Sequence, residues 1–437
     1  MQLPSPDPDT LFEEILQDLP PETEEMARDF KAFTRARKIK TPAQLLRVVF
    51  LYSGLDKSLR EAAGDFTLLE ERITDSSVAE RLAACLPWVK ALLPRMLQRP
   101  DLFSLPEEQR FLVIDGSCIQ GPGAQGTQYR LHLCMDLITL EFTYIAITDK
   151  HTGESLKNFP LKHGDVAVVD RGYSHPGTIV ETVSAGADLI LRLNPHSVPL
   201  FHLDGSSLDL VKSLKDQPYA TVLTLPVLVG PSSSTDRVQG WVHAYRLPEE
   251  QANKARQDCR KRNKKKGGSP KETTLFLAGW VLVFTSLSPG QLSAQAVLGV
   301  YRVRWQIEIA IKRWKSLLDV GALRAREGSP LAEVWLHGKL LYALMLEKRM
   351  RRTMGDAWSR LDQERAATWW RPWKMMQDEI APLITAAMFR QPQAWEACLE
   401  VLMERPRRRK LQRLPQEAVE MASSSSIRYQ YCMPKAS

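Results

Sequence analysis

Apolar residues recur at three- and four-residue intervals along the first hundred positions of the chain. The spacing runs through LFEEILQDL, PAQLLRVVFLYSG and SVAERLAACLPWVKALLPRML. It is typical of helices that bury one face and expose the other. The pattern predicts helices from residue 10 to residue 105, so residues 1–105 are expected to form an N-terminal helical region.

From Arg110 onward the apolar residues form shorter runs, which are typical of strands. We expect a strand ending in a turn at FLVIDGS, an antiparallel pair at QYRLHLCMDLIT and EFTYIAITD, and further strands at DVAVVDRG and DLILRLN. Helices are expected at GESLKNFPL and HPGTIVETVSAG. Strands that alternate with helices indicate a mixed α/β sheet. Residues 106–194 are therefore predicted to form the first part of an α/β core.

Residues 195–274 break this alternation. Short alternating stretches, TVLTLPVLV and VQGWVHAYRL, predict a β-rich insertion. The basic segment that follows, KARQDCRKRNKKKGGSPK, is expected to end in a mobile loop because it contains adjacent glycines and a proline. Its cations, among them Lys264, Lys265 and Lys266, either contact phosphates or form a solvated surface.

Residues 275–350 are expected to complete the α/β core. LFLAGWVLVFTS predicts a buried strand, and a long helix is expected from Ser293 to Leu318. Residues 351–437 are predicted to form a helical C-terminal region. It ends in a loose tail that contains RPRRRK and the serine run from Ser423 to Ser426.

The charge balance narrows the possible partners. A net charge of +8 and a pI near 9.1 favour a polyanion, either nucleic acid or an anionic membrane surface. No apolar run reaches the ~18 residues of a membrane span, and the acidic, proline-rich N-terminus is unlike a signal peptide. The six cysteines form no CxxC pair and the eight histidines no HExxH motif, which argues against zinc and favours a reducing cytoplasm. Any metal is expected to have oxygen ligands.

The helix expected from Ser293 to Leu318 has two different faces. At about 100° per residue, one narrow sector holds Tyr301, Arg304, Glu308, Lys312 and Lys315. The opposite side holds Val303, Ile307, Ala310, Ile311, Trp314, Leu317 and Leu318. The charged sector is either a solvated surface with ion pairs one turn apart or a carboxylate set among cations at a functional site.

Two aspartates change the balance between these readings. Asp115 is predicted to end the strand FLVID and Asp170 the strand DVAVVD, each beside a glycine turn. Either could simply be a turn-forming residue. Together with Glu308 they make a plausible oxygen-ligand site for two magnesium ions, which can activate a nucleophile and stabilise a leaving oxygen at phosphorus. Asp136, Asp149 and Asp165 also lie near predicted strands and are weaker candidates.

The spacing of Tyr301, Arg304, Glu308 and Lys315 resembles a known signature. It matches Y-x2-R-x3-E-x6-K without a gap, as in the YREK group of DDE transposases from bacterial insertion sequences, known as insertion-sequence family four. VIDGS and GDVAVVDRGY resemble the first and second aspartate blocks of that family. The resemblance extends from about residue 110 to residue 348.

The resemblance implies a ribonuclease-H-like catalytic core interrupted by a β-rich insertion and flanked by helical regions. It implies that Asp115, Asp170 and Glu308 hold two Mg²⁺ ions, for which Mn²⁺ can substitute. It implies that Tyr301, Arg304 and Lys315 contact phosphates near the transposon end.

Other basic and aromatic residues each have two possible roles. The resemblance implies that Trp280 stacks on a base flipped out of the DNA, although a tryptophan in such an apolar strand is more often part of the core. Arg171 and Arg192 either contact phosphates or neutralise the acidic cluster.

The function expected from these features is cut-and-paste DNA transposition. Its partners would be double-stranded DNA at the inverted repeats and target DNA, bound by a homodimer that bridges the two transposon ends in the bacterial cytoplasm. Residues 1–105 would bind the DNA ends, and residues 351–437 would contribute to dimerisation. Three alternatives remain: a metal nuclease of the same fold without joining activity, a non-catalytic DNA-binding descendant, and a basic protein of the membrane surface.

Overall fold

The computed structural model describes residues 8–97, 110–354 and 370–386. Within the first range the chain is helical, as the apolar spacing predicts, and residues 98–105 of the predicted region lie outside the described residues. The helices are α1 (Pro8–Leu16), α2 (Thr23–Asp29), α3 (Pro42–Val49), α4 (Leu59–Leu69) and α5 (Asp75–Leu97). Side-chain caps fix two of the starting points. Thr41 accepts a hydrogen bond from the Gln44 amide, and Ser58 forms a reciprocal capping box with Glu61.

Nine strands form one mixed sheet in the described part of the chain. They are β1 (Arg110–Ile119), β2 (Tyr129–Asp136), β3 (Phe142–Asp149), β4 (Asp165–Val169), β5 (Asp188–Arg192), β6 (Leu200–Phe201), β7 (Val222–Val229), β8 (Val238–Arg246) and β9 (Trp280–Thr285). Their order is β3-β2-β1-β4-β5-β9-β8-β7-β6. β1, β2 and β3 pair antiparallel, whereas β4 runs parallel to β1 and β5 parallel to β4. The prediction of a mixed α/β sheet is confirmed.

Helices follow or separate these strands. They are α6 (Pro176–Ser184), α7 (Leu210–Leu214), α8 (Glu249–Lys265), α9 (Glu272–Ala278), α10 (Ala294–Val303), α11 (Trp305–Leu318), α12 (Pro330–Met354) and α13 (Trp370–Thr385). α6 corresponds to a predicted helix. The helix predicted at GESLKNFPL is wrong, since only a 3₁₀ turn, Leu156–Asn158, forms there. Pro160 disfavours a helical conformation at the residue before it and ends the turn early.

The insertion continues the sheet through β8, which pairs antiparallel with β9. The basic segment is helical as far as Lys265, where α8 ends, and residues 266–271 form a turn and a loop, as its glycines and proline predict. Residues 249–265 contain no glycine, proline or β-branched residue, and the helix has acidic residues in its first turn and basic residues in its last. The strand predicted at LFLAGWVLVFTS is also shorter than expected. Its first part forms α9, and β9 begins at Trp280.

Apolar residues fill both faces of the sheet. One core joins the sheet to the N-terminal helices and to α11, α12 and α13, and it includes Val113 and Val168. The other core includes Ile114, Val169 and Ile179 of α6. Adjacent residues belong to different cores because side chains alternate along a strand. Within residues 8–97, 110–354 and 370–386, none of the helices is long and apolar enough to span a membrane.

Candidate active site

Asp115, on β1, lies beside Asp170, which directly follows the neighbouring parallel strand β4. The register pairs Val113 of β1 with Val168 of β4, and its continuation by two residues sets Asp115 next to Asp170. β4 ends at Val169, one residue earlier than predicted. The prediction that Asp115 ends its strand is wrong. β1 continues to Ile119 because it stays paired with β2 beyond the point where β4 stops.

Each aspartate accepts a hydrogen bond from a nearby glycine. The Gly116 amide donates to Oδ1 of Asp115 at 2.8 Å, and the Gly172 amide donates to Oδ1 of Asp170 at 2.7 Å. These bonds fix the direction of both carboxylates. They leave the Oδ2 atoms available to other partners. The Arg304 guanidinium lies 3.7 Å from Oδ2 of Asp115.

The helix predicted from Ser293 to Leu318 is interrupted at Arg304. α10 ends just before this residue and α11 begins just after it. The prediction that Val303 packs in the core is wrong, since its side chain is 41% exposed. The apolar stripe of α11 includes the buried residues Ile307 and Trp314, and it does not extend back to Val303 of α10.

Arg304 connects Glu308 to the two strand aspartates. Its guanidinium hydrogen-bonds to Oε1 of Glu308 and lies 3.7 Å from Oδ2 of Asp115. The same guanidinium is 5.9 Å from the ring centroid of Tyr301. The structure therefore brings Tyr301, Arg304 and Glu308 together beside Asp115, although the helix is broken between them.

The two lysines of the same predicted face lie farther along α11. The Lys315 side chain runs past Gly321, where a Cβ would lie 3.4 Å from Cε of the lysine. Lys312 turns back toward the exposed ring of Trp305, and its Nζ is 5.0 Å from the ring centroid. Lys315 follows Glu308 by two turns, about 10 Å along the helix axis.

The carboxylates are close enough to oppose one another's ionisation. The pKa of Asp115 is raised to about 6, first by burial and then by the negative charges of Asp170 and Glu308. The Gly116 amide and Arg304 act in the opposite direction. A cation that binds among these carboxylates relieves their repulsion, and Arg304 provides part of that positive charge.

The donor set suits a hard divalent cation, because magnesium prefers carboxylate, phosphate and water oxygens. In the ranges that the structure describes, no three Asp, Glu, His or Cys side chains already surround one ion position. The guanidinium of Arg304 lies between Glu308 and Asp115 instead. Its Nη1 atom is buried and makes no hydrogen bond to any described residue, which suits a group that can turn to a phosphate oxygen.

A cleft of about 400 Å³ opens beside Asp170. Its lining includes the predicted residues Arg171, Trp280, Tyr301 and Arg304, together with Arg192 and Arg262. Trp280 is only 2% exposed, so it belongs both to the core and to the wall of the cleft. The volume is within the range of sites that hold small organic groups.

Lys264, Lys265 and Lys266 lie at the exposed end of α8 and do not line the cleft. Arg262, from the same helix, does line it. The helix therefore presents a cationic surface that begins at the cleft and continues away from it.

The weaker candidates have structural partners. Asp165 forms an ion pair with Arg110 at the opposite end of β4. Asp136 accepts a hydrogen bond from the Thr139 amide in the turn after β2, and Asp149 accepts hydrogen bonds in the turn after β3. These three aspartates do not line the cleft.

One carboxylate near the site has no counterpart in the sequence predictions. Glu154 lies in the loop between β3 and β4, against both Gly116 and Gly172. The local sequence contains no signal for this position, because its neighbours become apparent only when β1 and β4 lie side by side. Arg262 was missed as a cleft residue because only the fold brings α8 beside the cleft.

Known proteins resemble this chain over most of its length. A family model described as "Transposase DDE domain" matches residues 106–344. The transposase for insertion sequence element IS421 of Escherichia coli is 32% identical over 335 residues, which cover 75% of this chain and 90% of that protein. The InsL protein of insertion sequence element IS186A of Escherichia coli (strain K12) is 31% identical over 334 residues, with the same coverage. The transposase for IS231F of Bacillus thuringiensis subsp. israelensis is 22% identical over 328 residues, covering 68% of this chain and 65% of that protein.

Proposed function

Because the chain belongs to the DDE transposases of bacterial insertion sequences, we propose that Asp115, Asp170 and Glu308 bind the divalent cations with which it cuts and joins DNA. The observation that carries this assignment is the register of β1 and β4, whose continuation by two residues sets Asp115 next to Asp170. Arg304 connects Glu308 to Asp115, because its guanidinium lies beside both carboxylates. We propose Mg²⁺ as the cation, with Mn²⁺ as a substitute.

The bound ions would activate the attacking oxygen and stabilise the leaving oxygen of an in-line displacement at phosphorus. Asp115 and Asp170 each keep one oxygen free of the glycine amide bonds and can therefore serve as ligands. Glu308 becomes available when the Arg304 guanidinium exchanges its carboxylate partners for a phosphate of the scissile strand. Arginine suits this exchange because its planar fork can bind two phosphate oxygens.

The cleft beside Asp170 supports a DNA-binding role for its lining. Arg171 and Arg192 would contact phosphates next to the cut. Trp280 would stack on an extruded base if the cleft widens, because an aromatic face holds a base without reading its sequence. Lys264, Lys265 and Lys266 would contact the DNA backbone farther from the cut.

The strand order supports a more specific assignment of the fold of the catalytic core. We propose that β3-β2-β1-β4-β5, followed by α10 and α11, is a ribonuclease-H-like core, with residues 195–274 as its β-rich insertion. The YREK spacing supports membership of insertion-sequence family four. The site of action would be chromosomal DNA in the bacterial cytoplasm.

We further propose that residues 1–105 bind the transposon ends. A second cleft, of about 560 Å³, lies in this region and is lined by Arg35, Arg37, Lys38 and Arg81. These cations suit a phosphate backbone. The active species would be a homodimer on two ends. The C-terminal region proposed to support it, 351–437, lies mostly outside the described residues.

The assignment is tested by Asp170→Asn on DNA that carries the inverted repeats flanking the gene. With Mg²⁺ the variant should bind the DNA and fail to cut it. Asp136→Asn is the matched control, because Asp136 caps a turn after β2. Cutting by Asp170→Asn at the wild-type rate would remove this residue from the site.

A further inference from the structure

We propose that Glu154 is a fourth carboxylate of the metal centre and binds a divalent cation together with Asp115 and Asp170. The proposal rests on the function argued above and adds a ligand to the three that the YREK signature contains. Its basis is the position of the Glu154 carboxylate beside Asp170 and against Gly116, the residue that follows Asp115.

Two glycines define that position. A Cβ on Gly116 would lie 3.2 Å from Oε1 of Glu154, and a Cβ on Gly172 would lie 2.9 Å from its Oε2. The same point beside Gly172 is 3.0 Å from Oδ1 of Asp170. The glycines that hold Asp115 and Asp170 by their amides are thus also the residues whose missing side chains make room for Glu154.

An ion pair holds Glu154 in this direction. Nη1 of Arg130, from the neighbouring strand β2, lies 3.2 Å from its Oε1. Glu154 is partly exposed, with 35% of its side chain accessible, so water and ions can reach it. Its Oε2 is on the side of Asp170 and makes no hydrogen bond or ion pair that competes with a ligand among the described contacts.

A separate observation points to a ligand in this space. The side chain of Tyr173 is fully buried, yet its hydroxyl has no hydrogen-bond partner in the described structure. Burial raises the pKa of Tyr173 first, and the negative charges of Asp115, Glu154 and Asp170 raise it further. The hydroxyl therefore lies within the electrostatic reach of all three carboxylates. Such a buried group is stabilised when an oxygen atom is supplied to it, and the water or phosphate oxygens that accompany a divalent cation would supply one.

Direct titration of the full-length protein with Mn²⁺ alone, followed calorimetrically in the absence of DNA, tests the proposal. Glu154→Gln removes the charge and keeps the shape of the side chain. We expect its dissociation constant for Mn²⁺ to rise by about tenfold or more, as for other groups that support a metal site. Glu181→Gln is the matched control, since Glu181 lies on α6 and pairs with Lys157 at the surface. It should bind Mn²⁺ like the wild type.

The titration separates this proposal from the function on which it rests. Asp170→Asn should also lose Mn²⁺ affinity. If it does, and the dissociation constant of Glu154→Gln rises by less than about tenfold, only the role of Glu154 is overturned. If Asp170→Asn binds Mn²⁺ like the wild type, the proposed metal centre itself fails. Melting in EDTA verifies that each variant folds. If Glu154→Gln does not fold, Glu154→Asp is measured by the same criterion, because it keeps the charge that pairs with Arg130 and withdraws the carboxylate by one methylene group.

Discussion

The guanidinium of Arg304 lies 3.7 Å from the carboxylate of Asp115, and the same group hydrogen-bonds to Glu308. One side chain thus bridges a carboxylate of strand β1 and a carboxylate of helix α11. A cation ligated by both carboxylates would compete with this arginine, because the positive charges would occupy the same space. Arg304 therefore has two expected effects, one on metal binding and one on the DNA.

Arg304→Gln should separate these effects. Without DNA, the variant should bind Mn²⁺ more tightly than the wild type, since the competing charge is gone. With DNA and Mg²⁺, its cleavage rate should fall by about 10²–10³, the loss expected when a preorganised charge at a reacting group is removed. Arg302→Gln is the control, because Arg302 is exposed on the preceding turn. Weaker Mn²⁺ binding by Arg304→Gln would contradict the competition.

The identity of the metal should determine whether DNA is cut. We expect cleavage with Mg²⁺ or Mn²⁺ and none in EDTA. Ca²⁺ should allow the DNA complex to form without cleavage, because its longer bonds and looser geometry misplace the reacting groups. A gel-shift assay and a nicking assay on the same complex measure both properties. Efficient cleavage in EDTA would rule out the metal-dependent mechanism.

How much of the site could be predicted depends on how local each feature is. Asp170 was predicted to within one residue of the strand end, because a run of apolar residues precedes it and a glycine follows. Asp115 has a similar local pattern, yet its strand continues beyond it. The end of this strand is decided by its pairing with residues 129–136. The break at Arg304 has no glycine or proline to mark it. It accompanies the packing of α10 against β5 and β9 and of α11 against β1, which is a tertiary effect.

In the fold, too, the features set by local sequence could be predicted and those set by tertiary contacts could not. The helical N-terminal region and the central strands follow from periodicity, which reports burial directly. The basic segment ends in a loop, as its Gly-Gly and proline predict, and the propensities of the preceding residues favour the helix α8. Glu154 could not be found from the sequence. Its relation to Asp170 depends on a loop that returns across the ends of two strands.

A buried ion pair should stabilise the contact between the N-terminal helices and α12. Nζ of Lys339, which is buried, lies 2.7 Å from Oδ2 of Asp56. Asp56→Asn should lower the free energy of unfolding by about 3–5 kcal/mol, because it leaves a buried charge without its partner. Asp319→Asn is the control. Both aspartates have positive φ and both pair with Arg324, but Asp319 is exposed. Urea unfolding compares the two, and equal losses would contradict the buried pair.

The lysines at the end of α8 should act on DNA through charge alone. Lys264→Gln with Lys265→Gln should weaken binding to all DNA sequences and make its salt dependence shallower by about two units of slope, because fewer counterions are released. Lys212→Gln with Lys215→Gln, near α7, is a matched change in the same insertion. Binding is measured over a range of salt concentrations. An unchanged slope in the α8 variant would mean that these lysines form only a solvated surface.

Lys315 and Lys312 provide a paired test of the face of α11. Lys315 lies two turns beyond Glu308, so its ammonium could bind the strand at a phosphate beyond the cut. Lys312 instead lies over Trp305, with Nζ 5.0 Å from the ring centroid, and this contact draws it toward the helix surface. We expect Lys315→Gln to reduce formation of the end complex or its cleavage and to reduce the salt slope by about one unit, with little change in melting temperature. Lys312→Gln should change DNA binding much less. Lys315→Gln could instead lower the melting temperature and leave DNA affinity and cleavage per folded molecule unchanged. That result would show that the Lys315 side chain stabilises the fold by packing along Gly321 and does not contact the DNA.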